Sequence, residues 1–303
     1  MLDTATKPTQ ANRLIKISTN DEQTTATFTT NGELASFKVM KRELLWTGAM
    51  PSEMQPESQK GGWQHSAVVM FPVVGALNGN VCTIDGKNYS MMQHGISRDL
   101  QNHVTGKGTD SVSFLQRYKA GTEVVGSKGT SVWPFDFTLE QTFVITKGVL
   151  GYIAVITNKS DTPMPFAFGW HPAFRIEDKN ETEIVPVTHL GTPVGKFSAL
   201  EVERSGGNAI NVGGIDIMDI NVVRKDTQYS LTVNAYDIQK QTYRGLNNMQ
   251  LWSPKGQELI AVEPVSALGS RNYSGELRGK PGYEMLEPFG TRNYYISLIA
   301  EVM

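Results

Sequence analysis

Two ionisable residues stand out by their surroundings. His171 follows Phe166-Ala167-Phe168-Gly169-Trp170 and precedes Pro172; Glu263 follows Leu259-Ile260-Ala261-Val262 and precedes Pro264. In an extended chain alternate side chains face opposite ways, so Phe166, Phe168 and Trp170 share one face while Ala167, Gly169 and His171 share the other. One face is bulky and aromatic; the other is small and leads to an imidazole. A following proline favours extended backbone and removes a ladder donor, which predicts both residues at strand ends. Free imidazole titrates near ~6.5 and a glutamate near ~4.3. Near neutrality such a pair offers a base and, if a carboxylate raises the imidazole's pKa, a proton donor, which is the equipment of general acid–base catalysis. Each residue alone also fits a quieter role: His171 as a core histidine bound to a backbone carbonyl, Glu263 as a carboxylate facing solvent where its strand exits.

A second group lies in Gln93-His94-Gly95-Ile96-Ser97-Arg98-Asp99. An amide, an imidazole and a guanidinium around a flexible turn suit a ligand rich in hydroxyl groups, although a surface turn with a local Arg98–Asp99 pair would read the same. Trp63, Trp170, Trp252 and Phe289 could stack on the C–H face of a sugar or simply fill a core. Other chemistries lack their residues. The chain has one cysteine, Cys82, expected as a buried apolar residue. It has no H-E-x-x-H or paired Cys-x-x-Cys, so no metal site is expected. No G-x-S-x-G elbow occurs, and Ser205-Gly206-Gly207 and Val212-Gly213-Gly214 lack the strand–loop–helix setting of a phosphate loop.

The elements that must position these residues read as strands. Arg13–Ile17, Thr25–Thr29, Leu34–Met40, Val112–Tyr118, Phe135–Thr146, Leu150–Thr157, Tyr229–Ala235, Met249–Trp252, Glu258–Glu263 and Tyr294–Val302 are β-rich, several with a period of two. Asp85-Gly86 between Val81–Ile84 and Lys87–Tyr89 predicts a hairpin with a type I′ turn. Residues 51–62 and 205–214 read as polar loops, and 130–134 and 163–165 as connections. The 29 glycines and 14 prolines are spread along the chain, with no repeat and no change of character. The expectation is an all-β protein: one large antiparallel β-sandwich over residues 1–303 with few short helices. With 39% apolar residues the chain can bury a sizeable core, and a net charge of -2 without a basic run disfavours nucleic acid and acidic membranes as partners. The N-terminus lacks the apolar centre of a signal peptide, and no apolar run reaches the ~18 residues of a membrane span, so a soluble cytoplasmic protein is expected.

The order of these segments resembles the aldose 1-epimerase family, and specifically its LacX-like bacterial branch. Phe71-Pro72-Val73-Val74-Gly75 is similar to an early loop of that family, and Gln93–Asp99 to its QHGFARD motif. Phe168–Phe174 is similar to GxHPxF, Glu263-Pro264 with Ala267–Ser270 to EPWxGxxDS, and Lys280-Pro281-Gly282 with Leu286-Glu287-Pro288 to the closing KxGxxxLxPGE stretch. The resemblance runs from about Leu14 to the C-terminus. It implies a β-sandwich with the ligand in a cleft on one sheet, His171 and Glu263 as catalytic acid and base, and Gln93, His94 and Arg98 as sugar ligands. It also implies a hydroxyl-binding carboxylate at Asp216, for which Asp219 competes. The implied activity is a mutarotase, an isomerase interconverting the α and β anomers of an aldohexose without a cofactor, with a homodimer as one allowed assembly. The chain departs from the pattern at Ala76, where an arginine that helps hold the sugar is usual, at Val265, where an aromatic is common, and at Ser270. Three other readings stay open: a non-catalytic sugar-binding sandwich, a hexose-6-phosphate 1-epimerase, and a glycoside hydrolase should Glu287 face Glu263.

Overall fold

The computed structural model describes residues 14–188, 190–206, 209–213, 217–224, 227–237, 246, 248–269 and 271–302. His189, Asp216 and Ser270 lie outside them. The main body is two antiparallel sheets. The larger has nine strands in the order Phe197–Ser198, Glu183–Val187, Ile217–Arg224, Thr227–Asp237, Thr291–Val302, Val149–Asn158, Phe137–Thr146, Ser111–Tyr118 and His103–Lys107. The smaller has five: Ile210–Gly213, Asn248–Trp252, Leu259–Val265, Gly169–Arg175 and Ala67–Met70. A four-stranded sheet from Ile15–Ser18 to Arg42–Glu43 precedes them. The all-β expectation is met, with one α-helix, Ala199–Arg204, among the described residues.

Every strand read from the sequence is present, with ends shifted by a few residues. The predicted hairpin forms as Val81–Ile84 against Lys87–Ser90, and Asp85 and Gly86 both take positive φ (51° and 73°), as a type I′ turn requires. Three segments read as loops or connections contain strands instead: Ile210–Gly213, Gly129–Val132 and Met164–Phe166. Each is short, without a long apolar alternation, and becomes a strand because a long-range partner pairs with it.

The two sheets meet through aromatics. Along Phe137–Thr146 burial alternates strictly, so every second side chain enters the core. Trp170 leaves the five-stranded sheet to pack on Tyr152 (ring centroids 5.1 Å apart) and Phe143 (6.5 Å), and Phe168 stacks on Tyr294 at 4.8 Å. The indole N–H of Trp170 donates to the Ala67 carbonyl at 3.2 Å, so this side chain also ties two cleft strands together. Gly169–Arg175 and Leu259–Val265 are buried almost throughout, unlike the half-buried strands of the larger sheet. Their inward face meets the aromatic core; their outward face is covered by the walls of a cleft. Trp170→Ala should therefore cost about 3–5 kcal/mol, read as a lower urea midpoint in equilibrium unfolding.

Candidate functional site

Register assembles the site. Val68 pairs with His171, Gln250 with Glu263, and Asn211 with Gln250. Gly169 pairs with Val265 and Ala173 with Ala261, which sets His171 opposite Glu263 between them. One row thus crosses all five strands: Val68, His171, Glu263, Gln250, Asn211. All five residues line a cleft of about 620 Å³. The alternation seen in the sequence explains the orientation: Phe168 and Trp170 go to the core, and His171 goes to the opposite face.

The strand-end placement of the pair is corrected. Both strands continue past their prolines, to Arg175 and Val265. Extended backbone suits proline's fixed φ, so the chain need not turn. The missing donors leave their mark elsewhere. Between the pairs Gly169–Val265 and Ala173–Ala261 no ladder partners are registered, and this interruption holds Pro172, Pro264 and the His171–Glu263 pair.

His171 Nε2 lies 3.3 Å from Glu263 Oε1, and the two residues are 5% and 2% exposed. Burial dominates their titration. It pushes His171 down to about 3, helped by the charges of His65, Arg98 and Lys128, and it pushes the Glu263 carboxyl well above its usual range. The expectation that a carboxylate would raise the imidazole's pKa is corrected: removal from water dominates and favours neutral imidazole and protonated carboxyl. His171 Nδ1 is buried without a partner. Trp63 stacks on the imidazole at 4.8 Å and 29°, and Trp252 and His94 approach it edge-on at 5.8 and 5.6 Å. Trp63 is itself anchored, its carbonyl accepting from the Trp46 indole (2.7 Å) and its N–H donating to Gln257 Oε1 (2.8 Å).

Gln93, His94 and Arg98 join the same cleft, as expected. His94 and Gly95 form a tight turn with φ of 69° and 76°. Only glycine fits at 95, because a Cβ there would sit 2.3 Å from the Phe71 carbonyl oxygen. His94 donates its N–H to the Gly75 carbonyl (2.8 Å) and its Nδ1 accepts from the Gly75 N–H (3.3 Å), which leaves Nε2 carrying the proton. Burial holds this ring neutral, lowering its pKa well below the ordinary value. Arg98 Nε lies 3.3 Å from Asp99 Oδ2, and one of its terminal nitrogens is buried without a partner.

Asp216 lies outside the described residues. Asp219 belongs by its backbone to the nine-stranded sheet, paired with Val185 and Thr232. Of the aromatic candidates, Trp63 and Trp252 line the cleft, Trp170 is core, and Phe289 is exposed elsewhere. Glu287 is exposed and does not line the cleft, and Glu263 is the single carboxylate lining it among the described residues. A two-carboxylate hydrolase is therefore not supported. Sequence reasoning missed Gln250 and Asn211, joined by a 2.9 Å hydrogen bond, and the cations Lys128 and Arg271. The polar Gln250 inside the apolar run Met249–Trp252 was the available signal for the first.

The fold is an antiparallel β-sandwich with a buried His–Glu pair on the floor of a polar, tryptophan-walled cleft. A profile of the aldose 1-epimerase family matches residues 13–277, and the chain belongs to that family. No curated protein matches the sequence. Among solved structures, the fold is similar to a galactose mutarotase-like protein from Lactobacillus casei (22% identity, TM-score 0.76, 95% of this chain and 100% of that one). It is also similar to a galactose mutarotase related enzyme from Lactobacillus acidophilus (20%, 0.74, 95% and 97%) and to the Slr1438 protein of Synechocystis (18%, 0.75, 100% and 100%). Among the described residues no helix is long and apolar enough to cross a membrane.

The titration of Glu263 makes a stability prediction. Its folded pKa is raised, so the wild type has no penalty from this group below the unfolded value near ~4.3 and loses stability as pH rises from there through the folded pKa. Glu263→Gln removes that loss. The melting temperature of the variant should exceed that of the wild type at pH 7–8, with a gap that closes as pH falls towards ~4.3, measured by differential scanning calorimetry.

Proposed function

We propose that this protein is a mutarotase that opens and recloses the ring of an aldohexose, with Glu263 and His171 exchanging protons with the two oxygens on the anomeric carbon. The observation that carries this reading is the adjacency of the pair on the cleft floor: groups 3.3 Å apart can serve O1 and O5, which are both bonded to C1. Glu263 as carboxylate takes the O1 proton while His171 as imidazolium gives one to O5. The O1 electrons form the C1=O1 bond, and the C1–O5 pair stays on O5 as the bond breaks. Rotation about C1–C2 turns the other carbonyl face to O5, and the same transfers in reverse close the ring. Atoms and charge balance without a redox partner or a covalent intermediate.

The protonation states favour this step. Before opening, the pair is carboxylate and imidazolium; after it, carboxylic acid and neutral imidazole. The second state is the one burial prefers for both residues. The bound sugar must stabilise the first through its hydroxyl hydrogen bonds, and the dry site then returns part of that cost as the ring opens. Gln93, His94, Arg98, Gln250 and Asn211 are the ligands proposed for the remaining hydroxyls, with Asp216 carried as a further candidate on the resemblance alone. Trp63 has a second task, since its stacking fixes the plane of the imidazole.

Glu263→Gln should lower the catalysed rate roughly 10²–10⁴-fold with sugar binding largely kept, read by polarimetry of freshly dissolved α-glucose or α-galactose. An undiminished rate would remove Glu263 from the mechanism. The pair acts only while it holds one mobile proton. The acid limb of kcat/KM should therefore fall near the depressed His171 value of about 3, and the plateau should persist until pH passes the raised Glu263 value. An acid limb at the ~6.5 of free imidazole would contradict the buried-pair account.

A further inference from the structure

A histidine that moves a proton at one ring nitrogen is commonly oriented by a hydrogen bond at the other. His171 lacks that support, because its Nδ1 is buried without a partner. The plane of the ring then depends on its neighbours, and Trp63 stacks on its face at 4.8 Å. Rotation about Cβ–Cγ would carry Nε2 away from Glu263 Oε1, 3.3 Å distant. The backbone of Trp63 is fixed by Trp46 and Gln257, but the plane of its indole is set by the rings around it. Two of these belong to the cleft lining, His171 and Trp252, the latter edge-on at 5.6 Å. The third is His65, which meets the indole edge-on at 5.6 Å and 60°.

His65 is held from outside the two main sheets. In the four-stranded sheet, Thr24–Phe28 and Leu34–Val39 are joined by a turn in which the Gly32 N–H donates to the Thr29 carbonyl (3.0 Å) and the Thr29 N–H to the Glu33 carbonyl (2.9 Å). Gly32 has a φ of 76°, and a Cβ there would lie 2.9 Å from Asn102 Nδ2, so the turn seats closely against Asn102. Glu33 then reaches three donors. Its Oε1 accepts from the backbone N–H groups of Ser66 (2.6 Å) and Ala67 (3.1 Å), and its Oε2 accepts from His65 Nδ1 (3.1 Å), since a carboxylate offers no donor. The Glu33 side chain is 17% exposed, so these bonds are largely shielded from water. Ser66 and Ala67 lead into the strand whose Val68 pairs with His171. One carboxylate thus ties down both the start of a cleft strand and the His65 ring.

We propose that Glu33 and His65 are positioning residues for the acid–base pair: Glu33 fixes the His65 ring, His65 fixes the edge of the Trp63 indole, and Trp63 fixes the plane of His171. Among the described residues the four-stranded sheet contributes nothing to the cleft lining, and it acts on the site through this one carboxylate. Of the charges that lower the His171 pKa, that of His65 is the largest, so the two rings are also within electrostatic reach. The effect on turnover rests on the mutarotase reading; the effect on the ring plane does not.

The test reads the stacking directly. With five histidines in the chain, ring-labelled ¹³C-histidine gives a simple NMR spectrum, in which the His171 signals are those lost in His171→Gln. Ring protons lying over an indole face are shielded, so Trp63→Leu should move the His171 signals downfield and define their unstacked position. His65→Ala should move them at least half of that way, and Glu33→Ala likewise, while Glu33→Gln, which keeps an acceptor for the two backbone amides and a polar atom for the imidazole, should move them less than Glu33→Ala. His65→Ala leaves both amides capped by Glu33, so it decides the matter should Glu33→Ala fail to fold. In glucose anomerisation kcat should fall by roughly ten- to a hundredfold in His65→Ala, the scale of an ångström's misplacement. His171 signals that coincide with the wild type in His65→Ala overturn the proposal, whatever the activity, and so do signals that Trp63→Leu leaves in place. Signals moved in His65→Ala but not in a folded Glu33→Ala remove Glu33 from the chain of contacts. If the wild type anomerises no aldose while the signals move as expected, the mutarotase reading falls and the positioning of His171 stands.

Discussion

Two ionisable groups buried side by side in the middle of a sheet are the constraint on which the rest of this structure depends. Each would be more comfortable in water, and desolvation drives both towards their neutral forms. The fold holds them there by covering both faces of the strands that carry them. The aromatic layer of Trp170, Phe168, Tyr152 and Tyr294 seals one side. On the other side Trp63, Trp252 and His94 pack around the imidazole. The stability that this arrangement costs near neutrality is the same free energy that the proposed proton transfers use.

How much of this could be read from the sequence follows from range. Strand positions, the Asp85-Gly86 hairpin and the two-faced segment from Phe166 to His171 are written in local alternation and turn chemistry, and they hold. The buried pair was found as two separate residues, but its adjacency depends on the register of strands about ninety positions apart in the chain. The same limit hid Gln250 and Asn211, each unremarkable until the register sets them in one row. Lys128 and Arg271 left no local signal, because a lysine or arginine in a polar loop usually faces solvent. Gln93, His94 and Arg98 were legible as a polar turn, and the family resemblance gave them a sugar-binding role and pointed to Ala76 as a departure; Lys128 and Arg271 line the same cleft.

The proline rule failed in an informative way. Locally, Pro172 and Pro264 argue for chain ends, yet the strands run on and only the ladder between them is interrupted. A backbone preference fixed the shape of the chain correctly while the long-range pairing decided where the strand stopped. The two prolines also fall beside the two residues whose side chains must meet across that gap, so the weakest part of the sheet's hydrogen bonding coincides with its chemistry.

The row from Val68 to Asn211 has a consequence for how such a protein can change. Each member sits on its own strand, and the residues before and after it on that strand point the other way. A substitution in the row therefore alters one tooth of the cleft floor without touching the aromatic layer beneath. The cleft floor can thus exchange ligands while the aromatic layer stays unchanged, but in coupled pairs rather than singly: His171 with Glu263, and Gln250 with Asn211.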